Sequence, residues 1–530
     1  MSSASTVAAR ALPAPPRSDR TARVTSAAVL AAGFGLAVVG SGRPSLWTDE
    51  AASISAASRS WPELWAMAHQ VDAVHTTYYA FMHLWLAVLP PGQTLLRLPS
   101  AVATGLTALV LLWLGRRLAD PLTALLAAGV FVVLPRSTWM GMEARPYAFS
   151  ALLAVTATWA LVVLAGPGAR PRRPGLVLVG YGLVAALGVA VNLYVALLLL
   201  AHGVSLALSV VSRLSASALG LTLRRWLVTC CAAVLLAGPV VWLALHQRGQ
   251  LGGAPLRVQG WLRDVVVSQW FLGETPTPST GGGAWSWSLG SAWQPAAVVL
   301  ALVCWLLVLR GVVAASRSVT LLLWAVPWVV VPVLVVALYS FTLANVHNAR
   351  YFSFAAPAVA LLVGHGLADL GRGWRRWGAA GLVVLLALPV YLSQRTVHAK
   401  NGSDWSEAAA FVAAHARPGE AVYFTPRYPV TAELVGQTTR GVRTAYPAAF
   451  TDLRDVTMLR TPVQDDNLTG TSRLLQDSVS ELAGVRTVWV VRRVDYRDKA
   501  RDDRTLADLG FRPERQWTGP LDQVIGFGRP

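Results

Sequence analysis

Long apolar runs recur along most of this chain. Runs close to the roughly 20 residues that an α-helix needs to cross the hydrocarbon core of a bilayer lie at 24–41, 98–115, 119–135, 147–165, 175–191, 193–212, 226–245, 295–313, 319–340, 353–370 and 376–393. Because 54% of the residues are hydrophobic and only 14% are charged, the bilayer is expected to be the main solvent. The sequence therefore predicts a polytopic all-α membrane domain with about eleven transmembrane helices.

Arginines between the apolar runs predict the orientation of the chain. An odd number of spans places the termini on opposite sides, and arginine and lysine favour the cytoplasmic side. With a cytoplasmic N-terminus every inner connection is basic. The arginines of these connections are Arg116, Arg117, Arg170, Arg172, Arg173, Arg213, Arg224, Arg225, Arg310, Arg317, Arg372, Arg375 and Arg376. We therefore expect a multi-pass protein of the plasma membrane with an extracytoplasmic C-terminus.

The net charge of +18 is explained mostly by this topology. A surface for nucleic acid would need basic and aromatic residues interleaved on a soluble element, so no nucleic-acid partner is predicted. Cys230, Cys231 and Cys304 all fall within predicted spans. Neither a disulfide framework nor a metal-ligand spacing is therefore predicted.

The segments outside the spans define the expected domains. Residues 1–23 are predicted to be a disordered cytoplasmic tail, and residues 24–395 a transmembrane domain with outer loops at 42–97 and 246–294. In the first outer loop, apolar residues at helical spacing predict short surface helices at 61–65 and 77–89.

Beyond residue 395 the charges become more frequent and the apolar runs shorten to the length of strands. Helices are predicted at 406–416, 472–482 and 505–509, and strands at 421–425, 485–491 and 524–527. This alternation predicts a small extracytoplasmic α/β domain at 396–530. A structural or acceptor-binding role is expected for it.

Two adjacent carboxylates, Asp49 and Glu50, follow the first apolar run. Acids are costly at the edge of a bilayer, and the usual reasons for them are chemistry or ion binding. We predict that both are catalytic, with Asp49 as a general base. A divalent cation held by the pair is an open alternative, and no other metal site or cofactor is predicted.

Further polar and aromatic residues are expected on the same outer side. They are His75, Tyr78, Tyr79, Glu143, Arg145, Tyr147, His347, Arg350 and Tyr351. Snorkelling anchors would occur on both sides, with arginine favoured inside, so this collection favours one outward-facing cleft. The simpler alternatives are ion pairs and interfacial anchors for the charged residues, structural histidines, and an interfacial belt of tyrosines.

An enzyme that faces outwards has no access to cytoplasmic nucleotide sugars or ATP, so its donor must be carried by the membrane. A polyprenyl-phosphate sugar fits this requirement. Its transfer needs a base for the acceptor hydroxyl and cations for the departing phosphate. We predict that Arg350, Arg145 and His347 bind the donor phosphate. The predicted substrate-binding residues are His75, Tyr78, Tyr79, Glu143, Tyr147 and Tyr351.

Several motifs follow one another in a specific order. They are Trp47-Thr-Asp49-Glu50-Ala51, His75-Thr-Thr-Tyr78-Tyr79, Leu96-Arg97-Leu98-Pro99-Ser100, Glu143-Ala-Arg145-Pro-Tyr147, and Arg350-Tyr351 ahead of Pro357. In order and spacing the set resembles the bacterial GT-C glycosyltransferases, both protein-mannosyltransferase-like and aminoarabinose-transferase-like, which use polyprenyl-phosphate sugars. The chain departs from them at Thr76-Thr77, where members often carry Pro-Pro, and at Met142, where they often carry Gln.

The resemblance implies an inverting transfer with Asp49 as base and Arg350 on the lipid phosphate. Mannose is the first expectation for the sugar, with arabinofuranose or another pentose as the alternative. The acceptor is expected to be a glycan, a glycolipid or a protein.

A transporter or lipid flippase is an alternative function. Such a protein would usually show paired repeats with broken helices at the midplane, and no such repeat is evident in the sequence. An acyl- or phosphotransferase would need a nucleophile and base pair, for which no motif is recognisable.

Overall fold

The computed structural model describes residues 18–90, 92–165, 171–211, 219–250, 255–273, 292–313, 319–371, 373–428 and 434–530. Parts of several predictions lie outside these residues. They are residues 1–17 of the predicted N-terminal tail, residues 251–254 and 274–291 of the predicted second outer loop, and Arg170, Arg213, Arg317 and Arg372.

Each predicted apolar run coincides with a helix or with a pair of helices. The long helices of the predicted transmembrane region are Ser18–Val38, Gln93–Leu118, Tyr147–Ala165, Pro174–Val191, Ala196–Val211, Leu219–Leu236, Trp293–Val313, Val319–Thr342 and Trp374–Ser393. The shorter ones are Pro121–Val133, Pro135–Met140, Gly238–His246, Val258–Arg263 and Ala356–Asp369, with a π-helix at Asp264–Leu272 and a 3₁₀ helix at Ala349–Ala355. The predicted all-α, multi-pass membrane architecture is thus confirmed.

Within the described residues, fewer than eleven helices are full-length spans by length and composition. Eight helices of the described chain are long and apolar enough to cross a membrane, or nine if the pair bent by 59° at Leu236–Gly238 is one span. The helix Pro121–Val133 is too short to cross a bilayer, and it ends where it does because Pro135 follows it. The residue before a proline is disfavoured in the helical region, and Leu134 accordingly adopts an extended conformation.

Residues 42–97, the predicted first outer loop, are mostly helical. The helices of this loop are Thr48–Ala57, Trp61–Gln70 and Thr76–Val88, with a 3₁₀ turn at Ala73–His75. The second of these confirms the helix predicted at 61–65, and its start is fixed by Glu63, whose Oε2 accepts a 2.8 Å hydrogen bond from the Ser60 amide. The third confirms the helix predicted at 77–89, and its 13 residues are too few to cross a bilayer.

The C-terminal part contains two sheets. The five-stranded sheet has the order Arg454–Asp455, Ala421–Phe424, Thr487–Arg493, Asp522–Gly528 and Arg512–Thr518. Its first three strands are parallel and its last two pair antiparallel. The three-stranded antiparallel sheet has the order Leu434–Val435, Thr471–Arg473 and Met458–Arg460. The helices are Trp405–His415, Gly441–Ala445 and Lys499–Asp508.

This confirms a strand-containing α/β domain after the last membrane helix, with several local differences. The helix predicted at 472–482 is the strand Thr471–Arg473 followed by a 3₁₀ helix at Leu475–Leu482. The structure also contains elements that were not predicted, namely the helix Gly441–Ala445 and the strands Leu434–Val435, Arg454–Asp455, Met458–Arg460 and Arg512–Thr518. The longest of these strands is Arg512–Thr518. Its residues are mostly exposed, so it lacks the apolar alternation that marks a half-buried strand.

The C-terminal part packs directly on the first outer loop. The Ser45 amide donates to the carbonyl of Val397 at 2.8 Å, and the amide of Leu46 donates to the Tyr446 hydroxyl at 2.8 Å. The Ser403 hydroxyl donates to the carbonyl of Leu46 at 2.7 Å. Apolar side chains from the two parts also form one buried cluster. A boundary between domains at residues 395 and 396 remains a prediction.

Candidate active site

The helix Thr48–Ala57 carries both predicted catalytic acids in its first turn. Acidic residues are favoured there by the helix dipole. Neighbouring residues of an α-helix point about 100° apart, so the two side chains enter different surroundings. The Asp49 side chain is 23% exposed, whereas Glu50 is completely buried.

Asp49 is paired with Arg350. Nη1 of Arg350 donates a 2.8 Å hydrogen bond to Oδ2 of Asp49. Arg350 lies in the 3₁₀ helix Ala349–Ala355, and the side chain of Asn348 fixes the start of this helix by accepting from the Arg350 amide at 3.2 Å. The guanidinium carbon of Arg350 also lies 5.3 Å from the centre of the Trp47 ring, a distance typical of a cation–π contact.

Arg145 approaches the same carboxylate from another direction. It lies between the helices Pro135–Met140 and Tyr147–Ala165. Its Nε is 3.9 Å from Oδ2 of Asp49, and its Nη1 donates to the Tyr79 hydroxyl at 2.8 Å. The Arg145 side chain is only 7% exposed. Two guanidinium groups therefore converge on Asp49, one buried and one partly open to solvent.

Asp72 and His75 support Arg145 from behind. Nδ1 of His75 is 2.6 Å from Oδ1 of Asp72. The other ring nitrogen of His75, Nε2, is therefore left to accept a hydrogen bond from the Arg145 guanidinium, whose Nη2 is 3.3 Å away. The Tyr79 hydroxyl donates to Asp72 as well. Asp72 has φ +56°, in the left-handed region where a non-glycine residue is uncommon and strained.

The ionisation of this group follows from its surroundings. Burial would raise the pKa of Asp72, but His75, Arg145 and Tyr79 hold the pKa well below its ordinary value. Burial and the Arg145 guanidinium lower the pKa of His75, against the opposing effect of Asp72. His75 is therefore neutral at neutral pH, and two carboxylates balance the two guanidinium groups.

Glu50 engages a different arginine. Arg97 holds it through two hydrogen bonds, from Nε to Oε1 at 2.7 Å and from Nη2 to Oε2 at 2.5 Å, and both side chains have 0% exposure. The amide of Ala144 donates to Oε1 at 3.1 Å. Burial would raise the pKa of Glu50, but Arg97 and Lys400 lower it below its ordinary value. This is the geometry of a structural ion pair, and the Asp49 and Glu50 carboxylates do not share one partner.

Glu143 joins the bundle to the C-terminal part. Its Oε1 accepts from the Trp47 indole at 2.7 Å, and its Oε2 is paired with the ammonium of Lys400. Lys400 also donates to the carbonyl of Met142 at 3.0 Å. Glu143 and Lys400 are fully buried. Glu143 therefore fixes Trp47, the residue that contacts Arg350.

No protein-family model matches the chain, and no curated protein matches it in sequence. Among solved structures it is similar to ArnT from Cupriavidus metallidurans in the apo state, with a TM-score of 0.58 at 12% identity over 96% of this chain and 98% of ArnT. ArnT bound to undecaprenyl phosphate gives 0.54 at 13% identity over the same shares.

A third similar structure is the archaeal oligosaccharyltransferase AglB from Archaeoglobus fulgidus, in complex with an inhibitory peptide and a dolichol-phosphate. It has a TM-score of 0.50 at 11% identity, over 96% of this chain and 74% of AglB. The chain has the GT-C fold. The resemblance inferred from the sequence motifs is thus confirmed at the level of the fold.

The GT-C fold brings together Asp49, Arg350, Arg145, His75 and Tyr79 from the predicted set. Tyr147 and Tyr351 lie side by side, with ring centres 6.2 Å apart. The remaining predicted residues lie elsewhere. Tyr78 packs against Phe149 with a ring distance of 5.8 Å in an apolar cluster. His347 has Nε2 4.0 Å from Asp264 and a side chain that is only 2% exposed, and burial lowers its pKa.

The sequence interpretation assigned no role in the site to Asp72 or Lys400. Asp72 precedes His75 by three residues, and this spacing within one turn was the available signal. Lys400 is distant in sequence from Glu143 and belongs to no motif. Within the described residues, no group of three or more His, Cys, Asp or Glu side chains is arranged to hold a metal ion.

Proposed function

We propose that this protein is a membrane glycosyltransferase that moves a sugar from a polyprenyl phosphate to an acceptor hydroxyl. The observation that carries the proposal is the pairing of Asp49 with Arg350, beside the buried guanidinium of Arg145. ArnT has been crystallised with undecaprenyl phosphate and AglB with a dolichol-phosphate, and this supports a lipid phosphate as the donor group here.

In the proposed reaction the donor phosphate binds Arg350 and Arg145. Guanidinium groups match phosphate through paired N–H donors, so the phosphate competes with Asp49 for Arg350. Binding of the donor then releases the Asp49 carboxylate next to the reacting carbon. The base therefore becomes available only when the donor is present.

Asp49 then accepts the proton of the acceptor hydroxyl. The acceptor oxygen forms a bond to the anomeric carbon while the bond from that carbon to the phosphate oxygen breaks. The electron pair of the broken bond remains on the polyprenyl phosphate, whose charge the two arginines stabilise. Attack opposite the leaving group inverts the anomeric configuration.

The other predicted residues take supporting roles in this proposal. His75 and Tyr79 position Arg145, Tyr147 and Tyr351 line the substrate region, and Glu143 fixes Trp47. Glu50 is assigned to the buried pair with Arg97 and not to chemistry. Mannose is the proposed sugar, with a pentose such as arabinofuranose as the alternative. The site is proposed to face the extracytoplasmic side, as the distribution of arginines predicts.

The test uses the purified full-length protein in nanodiscs with a panel of polyprenyl-phosphate sugars. Release of polyprenyl phosphate is measured for the wild type and for Asp49→Asn, which removes proton acceptance at nearly unchanged volume. We expect one donor to be consumed, and the variant to lose about 10²–10⁴-fold in rate. Asp508→Asn, at an exposed position of the C-terminal part, is the matched control. Turnover of Asp49→Asn at the wild-type rate would rule out Asp49 as the base.

A further inference from the structure

A cleft of about 430 Å³ lies between parts of the first outer loop and the C-terminal part. Trp47 and Thr48 form one wall, and residues of the C-terminal part form the other. The volume is within the range of pockets that bind small ligands, roughly 300–1,000 Å³. The cleft is distinct from the arginine pair described above, since neither Arg145 nor Arg350 lines it.

The cleft adjoins the proposed base. Trp47 and Thr48 directly precede Asp49 in the chain, and Trp47 contacts both Glu143 and Arg350. Nη1 of Arg427 closes onto the loop by donating to the Thr48 hydroxyl at 3.1 Å. The cleft therefore adjoins the first turn of the helix that carries Asp49, although Asp49 itself does not line it.

More positive than negative side chains line the cleft. The four cations are Lys400, Arg427, Arg493 and Arg497, and the two acids are Asp495 and Asp498. Lys400 is already paired with Glu143, and Arg493 Nε lies 3.3 Å from Asp495. Asp498 is 3.5 Å from Arg501. Neither Arg427 nor Arg497 forms a salt bridge with a carboxylate of the described residues, although Arg427 is close enough to Asp522 to interact with it electrostatically. The cleft thus offers two guanidinium groups to an anion.

Aromatic rings complete the walls of the cleft. Trp405, Tyr428 and Tyr496 line it together with Trp47, and Tyr428 is 62% exposed. Aromatic rings give a large apolar surface with a polar edge, which suits the apolar faces of a sugar ring. Arginine side chains supply paired donors for a carboxylate or phosphate. The combination favours a saccharide that carries a negative charge over a neutral sugar or an apolar ligand.

We propose that this cleft binds the acceptor, and that the acceptor is a glycan bearing a phosphate or carboxylate group held by Arg427 and Arg497. This inference rests on the proposed glycosyl transfer, because it assigns the second substrate of the same site. It also gives the C-terminal part a direct role, which is to select the acceptor.

Binding is measured by isothermal titration on the full-length protein in nanodiscs, without donor. The probes are glucose 6-phosphate, glucuronate and glucose, and the first two distinguish a phosphate from a carboxylate. We expect the charged sugars to bind more tightly than glucose, and Arg497→Gln and Arg427→Gln each to weaken their binding at least about tenfold. Arg504→Gln, an exposed arginine outside the cleft, should leave the dissociation constants unchanged.

Three results of the binding measurement would overturn the inference. One is equal affinity for glucose and the charged sugars. Another is charged-sugar binding that survives both cleft variants. The third is binding lost in Arg350→Gln instead, which would place the anion at the donor site. None of these depends on turnover, so failure of the donor panel would count against the proposed function alone. In the transfer assay, a wild type that modifies neutral glycans or peptides as fast as charged glycans would also overturn it.

Discussion

Arg350 Nη1 and Asp49 Oδ2 lie 2.8 Å apart although the residues are separated by 301 positions in the chain. The contact joins the helix that opens the first outer loop to the 3₁₀ helix that precedes Ala356–Asp369. Neither residue is fully buried, since the Arg350 side chain is 21% exposed and the Asp49 side chain is 23% exposed. An incoming anion is therefore able to exchange one partner of Arg350 for another.

Arg350→Lys should lower the rate of transfer although it keeps the positive charge. A lysine ammonium is a point charge and does not offer the paired, planar donors of a guanidinium. We expect a fall of about 10²-fold in kcat, in the range for loss of a group that stabilises a developing charge, and a larger fall for Arg350→Gln. Steady-state kinetics with varied donor checks this. Equal rates for the lysine variant and the wild type would contradict a role at the phosphate.

Glu50→Gln should destabilise the protein without abolishing its chemistry. The change removes the paired carboxylate of the buried Arg97 guanidinium, and breaking a buried ion pair typically costs about 3–5 kcal/mol. We expect a lower yield of folded protein and a lower melting temperature, with the rate per folded molecule largely retained. Thermal unfolding and active-site-normalised rates test this. A variant that melts normally but has lost activity would restore Glu50 as a catalytic residue.

The contrast between Asp49 and Glu50 shows how much of the site is predictable from the sequence. Composition and apolar runs predicted the helical bundle, and the outer location of the acids predicted that Asp49 and Arg350 would meet. Adjacent acids look alike in a sequence, however, and the turn of the helix decides which one reaches Arg350. Glu50 is buried because Arg97, on another helix, faces it.

Other features were missed because their cause is tertiary. Lys400 lies in the connection after the last membrane helix, and only its burial against Glu143 gives it a role.

Asp72 adopts its left-handed conformation through contacts to His75, Tyr79 and Arg145 that a local sequence pattern does not contain. The strand Arg512–Thr518 forms because Asp522–Gly528 pairs with it, while its own side chains resemble those of a loop.

Asp72→Asn should weaken donor binding with little change in fold. Asparagine tolerates the left-handed conformation, so the substitution removes the charge and keeps the backbone. Arg145 then loses a carboxylate 3.9 Å away, and His75 loses the partner that orients its ring. We expect a several-fold rise in KM for the donor. Asp72→Ala provides the comparison, since it adds backbone strain and should lower the melting temperature as well.

Lys400→Met should loosen the C-terminal part. The ammonium is buried against Glu143, and loss of one member of a buried ion pair costs about 3–5 kcal/mol. We expect faster hydrogen exchange of the amides at residues 396–404, measured by mass spectrometry. The double variant Glu143→Gln/Lys400→Met removes both charges and should exchange more slowly than the single variant. Unchanged exchange in the single variant would show that the pair does not secure this connection.

Asp522→Asn should remove a dependence of stability on pH. Burial and the neighbouring Asp404 raise the pKa of Asp522 from 3.8 to about 7, against Arg493 and Arg427. The folded state therefore holds a proton that the unfolded state releases between these values. Stability from this carboxyl is present below pH 3.8 and is lost as the pH rises to about 7. Melting temperatures between about pH 5 and pH 8 should fall for the wild type and stay flatter for the variant.

The wide separation of Asp49 and Arg350 also has a consequence for biosynthesis. The ribosome produces the carboxylate 301 residues before its guanidinium partner, and Lys400 emerges later still. A nascent chain therefore carries the proposed base through most of membrane insertion before the residues that complete its surroundings exist. The proposed site is completed late, after the final helices have been inserted and the C-terminal segment has been made.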